Sequence, residues 1–218
     1  MFKYILKFQK MGRAKYCSHL DTVRAMSRAF RRIGMDISYS QGFNPHMQMT
    51  FAQPLALGIE SDCELMEITV NSPLDVRDTI AKLNESLPEG FFFENIEKNE
   101  KKAPFKDLER AQYHITVCGN IPPSDVLKDF FRLDTILMDR RTKSGTKETD
   151  IKEMIYELET LSQTEDKLDF LAVISSGNVN LKPNLLCNAI ARYTPDLVMD
   201  SIEVKRTKLQ DKTGVPIG

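Results

Sequence analysis

Two of the three histidines stand where a side chain can do chemistry. His46 lies near the end of the loop-like stretch SYSQGFNPHM, and His19 directly follows Ser18 in the segment SHLD. An imidazole near its neutral-pH titration range is a common general acid or base, and Tyr39 is a further candidate for catalysis. His19, Asp21 and His46 are the one plausible metal-ligand set, but nothing in their spacing demands a metal. We therefore predict no metal and no cofactor.

Four arginines indicate a second kind of chemistry, the binding of phosphate groups. They recur at i, i+4, i+7 and i+8 of one predicted helix and share one face: Arg24, Arg28, Arg31 and Arg32. The guanidinium group suits bidentate phosphate contacts, and within the helix no acid lies four residues from any of them. With Tyr39, Phe43 and Asn44 of the following loop, they predict an RNA- or anion-binding surface. The alternative is an ordinary solvated helix face.

A second basic group surrounds KSGTK in the C-terminal half and contains Arg140, Arg141, Lys143 and Lys147. The pattern predicts the tip of a basic hairpin. Lys205, Arg206 and Lys208 add charge on the last predicted strand. Either group extends an anion-binding surface or protects a solvated sheet edge.

Composition narrows the class of protein. Hydrophobic residues make up 41% of the 218-residue chain and charged residues 28%, as in globular proteins. Residues 1–60 carry nine Lys/Arg against three Asp/Glu, although the net charge is −1. No apolar run is long enough for a membrane span, and the N-terminus predicts a strand rather than a signal peptide, so we expect a cytoplasmic protein. Four cysteines without CxxC spacing exclude a zinc ribbon or iron–sulfur cluster held by this chain alone.

The elements that must position these residues follow the order β-α-β-β-α-β in the first half. The helix begins at Ser18 and ends at Gly34, with an apolar stripe of Leu20, Val23, Met26, Phe30 and Ile33. A second helix, 73–86, opens with Pro73 at its first position. The predicted strands are 2–9, 36–40, 46–52, 64–70 and 90–97, where the two short central strands flank the histidine loop. This order predicts a split βαβ, ferredoxin-like domain over residues 1–97.

The second half repeats the plan. We predict a linker at 98–110, a second ferredoxin-like domain at 111–210 and a frayed tail at 211–218. Its predicted helices are one capped by Ser124 and one over 183–192, and its strands are 113–119, 135–142, 155–163, 167–176 and 200–210. Residues 155–163 are equally compatible with a helix. The predicted fold class is α+β, with tandem ferredoxin-like halves of which the second contains an inserted β-hairpin.

The segments YCSHLDTVRAMSRAFRR and SYSQGFNPHMQMTFAQPLALGIES resemble the radical SAM-linked protein family, a bacterial domain of unknown function. RRTKSGTKETDI, LKPNLLCNAI and IEVKRT are similar to later parts of that family. Met47 stands where the family usually has proline. The resemblance implies a radical SAM protein as partner and a link to RNA or ribosome-associated components, and it implies no established activity.

Three functions remain open from the sequence. The first is an accessory protein of a radical SAM enzyme that binds RNA or presents a substrate. The second is a metal-independent RNA-processing endonuclease of tandem ferredoxin-like type, with His46 or His19 as general base and Tyr39 assisting. The third is an adaptor that binds protein only.

Overall fold

A computed structural model describes residues 1–142, 145–177 and 179–217 of the chain. It is an α+β protein that divides into two compact units. Unit 1 comprises Met1–Leu108 with Pro216 and Ile217, and unit 2 comprises Glu109–Val215. Among the described residues, no helix is both long and apolar enough to cross a bilayer.

The sheet of unit 1 is antiparallel. Its strands are β1 (Phe2–Lys10), β2 (Met49–Phe51), β3 (Glu60–Val70) and β4 (Phe91–Lys98). β1 lies between β4 and β3, and β2 pairs with residues 66–68 of β3. Tyr4, Leu6 and Phe8 alternate into the core, as the period of a half-buried strand predicts.

The helix α1 (His19–Arg32) packs on this sheet. Asp21 N–H donates to the Ser18 hydroxyl oxygen, and the Ser18 hydroxyl donates to the Asp21 carboxylate at 2.6 Å, which is a reciprocal cap. Gly34, at a φ of +68°, follows the end of the helix. Met26 and Phe30 are fully buried, as predicted, whereas Leu20 is exposed. The expectation for Leu20 was therefore wrong; its place in the first turn lies outside the buried stripe.

The second helix, α2 (Val76–Ser86), begins three residues later than predicted. Asp75 caps it by accepting a hydrogen bond from Asp78 N–H, so Pro73 does not occupy the first helical position. The predicted strand 36–40 does not form either. Ile37 and Tyr39 make single bridges to Val70 and Met47, and two isolated bridges to different partners do not make a ladder.

Unit 2 contains the remaining elements. They are β5 (Leu108–Asn120), α3 (Val126–Phe131), β6 (Leu137–Thr142), β7 (Gly145–Asp150), β8 (Ile155–Gln163), β9 (Lys167–Ser175), α4 (Pro183–Tyr193) and β10 (Val198–Asp211). Its sheet has the order β10-β5-β9-β8, and β6 and β7 form a separate hairpin. β8 and β9 are the predicted hairpin, so the helical alternative for 155–163 is wrong.

Three boundaries differ from expectation. Asp125, not Ser124, caps α3. Asn99, inside the predicted linker, is buried and hydrogen-bonded to Glu67 and Lys101, while the two units meet in sequence at Leu108 and Glu109. Residues 211–215 form a hydrogen-bonded turn rather than a frayed tail, because the Asp211 carboxylate accepts from Thr213 and Val215.

Candidate functional site

The stretch SYSQGFNPHM forms a short stem with an exposed tip. Gln48 N–H donates to the Ser38 carbonyl and Ser40 N–H donates to the His46 carbonyl, both at 2.8 Å. Tyr39 and Met47 form the antiparallel bridge between these two pairs. Ser38 and Gln48 also bond Thr69 on β3. The stem is therefore fixed to the sheet, and residues 41–45 project from it as a tip.

A groove of about 370 Å³ lies between α1 and the segment that contains the stem and β2. Its lining residues are His19, Val23, Ser27, Arg31, Pro45, His46, Met47, Met49, Phe51 and Pro54. Three of these side chains carry ring or guanidinium nitrogens, most of the others are apolar, and none is a carboxylate. A groove of this size and composition suits a small group with an anionic part and an apolar or aromatic part.

The two predicted histidines meet at this groove. His19 is the first residue of α1, and its ring contacts the edge of Phe51 with ring centres 5.1 Å apart. His46 lies on the second arm of the stem, opposite Ser40, and lines the same groove. Elements distant in sequence therefore bring both candidate bases to one concave surface, which sequence spacing did not reveal.

Asp21 does not share this role. Its carboxylate accepts from the Ser18 hydroxyl and lies 3.2 Å from Arg24. The Ser18 hydroxyl, helped by the Arg24 charge, lowers the pKa of Asp21 below its usual value. Asp21 is therefore a helix-capping ion whose oxygens are occupied. Among the described residues, no three His, Cys, Asp or Glu side chains cluster as a metal site.

The four arginines of α1 do not act alike. Arg24 pairs with Asp21, which lies three residues earlier in the helix. The prediction of an unpaired arginine face had considered only acids four residues away. Arg32 donates to the Ser86 carbonyl at 2.7 Å and so completes the C-terminal end of α2. Arg31 lines the groove, and Arg28 is exposed on the same helix. Within the described residues, neither Arg28 nor Arg31 has an acidic partner.

The tip residues are open to solvent. Phe43 is more exposed than a reference Phe, at 111%, and Asn44 is exposed beside it. Tyr39 is 40% exposed on the stem. An aromatic ring held this far out contributes nothing to the core, so its ring faces remain available to a ligand or partner.

The second basic group lies in unit 2. Arg140, on β6, donates to the Asn180 carbonyl at 3.0 Å and contacts the Met154 sulfur. Arg141 is also on β6, but its side chain lies outside the described residues, as does the whole of Lys143. Lys147 is exposed on β7, whereas Arg206 is buried on β10 with 1% exposure, contrary to the expected surface strand.

The four cysteines are free thiols that differ in burial. Cys63 and Cys187 are buried, and burial raises the pKa of Cys187 to about 12, which keeps it protonated. Cys118 is exposed, and Cys17 is partly buried.

The apolar part of the groove was missed from the sequence. Met47, Met49 and Phe51 alternate along one strand-like segment, and the sequence assigned them to a strand without placing them opposite α1. Met47, which stands where the resemblance to the radical SAM-linked family predicts proline, is buried at 6% exposure. The alternation was the available signal, because residues two apart in a strand face the same side.

These features define an α+β protein with a basic, largely apolar groove in its N-terminal unit. The chain belongs to the family DUF2344, described as an uncharacterized protein conserved in bacteria, whose profile matches residues 3–183. No curated protein matches the chain.

Solved structures show similarity of fold. A chain in the crystal structure of a Cbf5-Nop10-Gar1 complex is 10% identical, with a TM-score of 0.58, over 94% of this chain and 48% of that one. A chain in the archaeal box H/ACA sRNP Nop10-Cbf5 complex is also 10% identical, with a TM-score of 0.51, over 94% and 47%. The present chain thus spans about half the length of these chains. At this identity the likeness concerns the fold alone.

Proposed function

We propose that this protein binds single-stranded RNA through the groove of unit 1 and acts as an accessory protein of a radical SAM enzyme. The observation that carries the RNA part is the groove lining, where His19, Arg31 and His46 face apolar side chains without any carboxylate. Unpaired nucleotides need both cationic contacts for phosphates and apolar or aromatic surfaces for bases.

Two further observations support RNA. Arg28 extends the unpaired positive charge along α1, and Phe43 offers a fully exposed ring on which a base can stack. A similar fold, with 10% identity and a TM-score of 0.50, occurs in a chain of an H/ACA RNP bound to a substrate RNA containing 2′-deoxyuridine. That likeness motivates the choice of RNA as ligand.

We assign both units to the split βαβ plan. In unit 1 the strand order is β4-β1-β3-β2, and in unit 2 the order β10-β5-β9-β8 places the first strand between the fourth and the third in the same way. The β6–β7 hairpin is then the insertion in unit 2.

The RNA proposal is tested by fluorescence anisotropy of a labelled single-stranded oligoribonucleotide at several salt concentrations. Affinity should fall steeply with salt, because each neutralised phosphate contributes about −0.7 to the slope of log K against log salt. Arg28→Ala with Arg31→Ala should flatten that slope by about 1 to 2. Arg77→Ala, an exposed arginine on α2 outside the groove, is the matched control. Binding that ignores salt and the double substitution would remove the proposal.

The radical SAM partner rests on the family resemblance of the SHLD and YSQGFNPH segments. Affinity purification of the tagged protein, with and without ribonuclease, tests it. A radical SAM protein recovered under both conditions supports the partnership, and recovery of that protein without any co-purified RNA favours the protein-only adaptor. Absence of a radical SAM protein in both samples contradicts the partnership.

An RNA-processing endonuclease is the second candidate, because both predicted bases line one groove. His19 has an exposed ring in position to accept a proton, and Arg31 lies in the same lining to stabilise charge. Incubation of RNA with wild-type protein, His19→Ala and His46→Ala separates the candidates. Cleavage products lost in either variant favour the nuclease, and unchanged RNA with intact binding favours the binding protein.

A further inference from the structure

Ser40 and His46 are joined by three hydrogen bonds across the stem. Ser40 N–H donates to the His46 carbonyl at 2.8 Å, and His46 N–H donates to the Ser40 hydroxyl oxygen at 3.1 Å. The same hydroxyl oxygen lies 2.8 Å from Nδ1 of the His46 ring. The ring is therefore held at one nitrogen by a group that already accepts a backbone bond.

This arrangement limits where the histidine proton resides. A serine hydroxyl has one proton to donate and two acceptor sites, and a backbone N–H can only donate. The backbone bond occupies one acceptor site of Ser40, so donation of the hydroxyl proton to Nδ1 uses both functions of the group. In the reverse arrangement Nδ1–H takes the second acceptor site, and the hydroxyl proton is left without a partner in the stem.

The preferred arrangement makes Nδ1 an acceptor. The neutral ring then carries its proton on Nε2, because each neutral imidazole has one donor and one acceptor nitrogen. Nε2 has no hydrogen-bond partner among the described residues, and His46 lines the groove. The lone pair that a general base needs is directed at Ser40 instead.

We propose that Ser40 fixes His46 in the Nε2–H form, and that this N–H and the Arg31 guanidinium together bind a phosphate group in the groove. The inference rests on the proposed RNA function for the source of that phosphate and names the part of the RNA that the groove takes. Both side chains offer only donors there, and no lining carboxylate competes with an anion. Ser40 is a positioning residue, and His46 is a binding residue rather than a base.

The proton position is testable in the free protein. Long-range ¹H–¹⁵N NMR correlations of ¹⁵N-labelled histidine distinguish a protonated Nδ1 from a protonated Nε2. His46 should show Nε2–H at a pH where the ring is neutral, and Ser40→Thr, which keeps the hydroxyl, should preserve this. Ser40→Ala should give a mixture of both forms. A protonated Nδ1 in the wild-type protein would overturn the assignment.

The ligand role is tested by conservative replacement. His46→Gln places an amide N–H donor near the position of Nε2–H but supplies no base, whereas His46→Ala supplies neither. Loss of a hydrogen bond to a charged group predicts that His46→Ala weakens binding at least about tenfold, with His46→Gln within about threefold of wild type. Equal losses in both variants would contradict a donor role. Arg77→Ala is again the control.

Three probes separate the sources of the phosphate. They are adenosine 5′-monophosphate, an unphosphorylated ten-residue oligoadenylate and the same strand with a 5′-phosphate. A preference for the phosphorylated strand identifies a terminal phosphate, and equal binding of both strands identifies an internal phosphodiester. Binding of the mononucleotide that shifts the His46 resonance, with neither strand bound, would support the phosphate site while removing the RNA function. RNA binding that leaves the His46 resonance and the His46→Ala affinity unchanged would do the reverse.

Discussion

The groove of unit 1 and a cavity in unit 2 are lined by groups of opposite sign. The unit 2 cavity, about 450 Å³, is formed by residues 121–125, Thr160 and residues 163–165, and it contains the carboxylates of Asp125 and Glu165 without a basic side chain. The groove contains basic side chains without a carboxylate. The two linings differ in the segments that supply their charged groups.

The connection after the first strand differs between the two units. In unit 1 a 14-residue helix carries the arginines and leads into the histidine stem. In unit 2 a 6-residue helix is followed by the β6–β7 hairpin. The basic side chains of the groove therefore all come from the connection after β1, whereas in unit 2 Asp125 precedes α3 and Glu165 lies between β8 and β9.

The strongest test of the comparison concerns the cores beneath the two helices. Phe30 on α1 and Phe130 on α3 are buried at 0% and 2% exposure. Replacement of either by alanine should lower the free energy of unfolding by about 3–5 kcal/mol, because a large cavity replaces packed ring atoms. Urea denaturation measures the loss, and amide hydrogen exchange shows which unit it affects. Phe43→Ala, fully exposed, should cost less than about 0.5 kcal/mol. Equal costs at all three positions would contradict the described burial.

A smaller effect is expected from one glycine in each unit. Gly90, at a φ of +90°, has no room for a Cβ beside the Met11 carbonyl and Ala14, and Gly119 has none beside the Val198 carbonyl. Alanine at either position should destabilise its unit by more than about 1 kcal/mol. Gly34→Ala meets no atom and has only its φ of +68° to strain, so thermal denaturation should show the smallest shift there.

Acid should affect unit 2 more than unit 1. Hydrogen bonds lower the pKa of three carboxyls in unit 2 and of Asp21 in unit 1. Backbone N–H donors of Ile136 and Lys152 lower the pKa of Asp150, and the Thr213 hydroxyl lowers that of Asp211. For Asp169, burial raises the pKa, but bonds from Thr116 and His114 outweigh it.

The sign of the effect follows from these directions. A carboxyl whose pKa is lower in the folded state stabilises the fold above its ordinary value of 3.8 and ceases to do so as the pH falls through the lowered value. Hydrogen exchange followed from about pH 5 to about pH 2 should therefore show unit 2 losing protection first. Thr116→Val should reduce the acid sensitivity of unit 2 and leave that of unit 1 unchanged. Earlier loss in unit 1 would contradict the prediction.

The smallest effect is expected from the carboxylates of unit 2. Asp125→Asn preserves the cap of α3, because asparagine caps helices as well as aspartate does, and Glu165→Gln preserves the shape of its side chain. If the unit 1 groove binds the RNA, the double variant should change RNA affinity less than about twofold at moderate salt, since neither carboxylate lines that groove and salt screens exposed charges. A tenfold gain would show that RNA also contacts unit 2.

Most elements were predictable because their signals are local. The alternation in β1, the Ser18 cap and Gly34 each act within a few residues, and each was placed correctly. The strand at 36–40 was wrong because the apolar pattern reports burial, and Ile37 is buried without belonging to a ladder. The surface position predicted for Arg206 was also wrong. A charged side chain is usually exposed, but this one lies at a buried position of β10.

The candidate site was predictable as a set of residues and not as a surface. His19, Arg31 and His46 were all named from their types, but their meeting at one groove depends on long-range pairing of the stem with β3. Periodicity placed the four arginines on one face, whereas only the fold shows that the end of α2 binds Arg32. The pair of Arg24 with Asp21 is local and was readable from their spacing. Partners distant in sequence decide which charges remain for a ligand.

The stem at residues 38–40 and 46–48 also allows residues of its tip to vary while the stem stays closed. The bonds that close it come from the backbone and from Ser40 and His46, so none involves a side chain of residues 41–45. New residues can be exchanged at Gln41, Phe43 and Asn44, as in the variation of an antibody loop, whereas Gly42 has a φ of +125° and Pro45 lines the groove. If the groove binds a phosphate as proposed, divergence at these three positions would change which partner is recognised without changing how the phosphate is held.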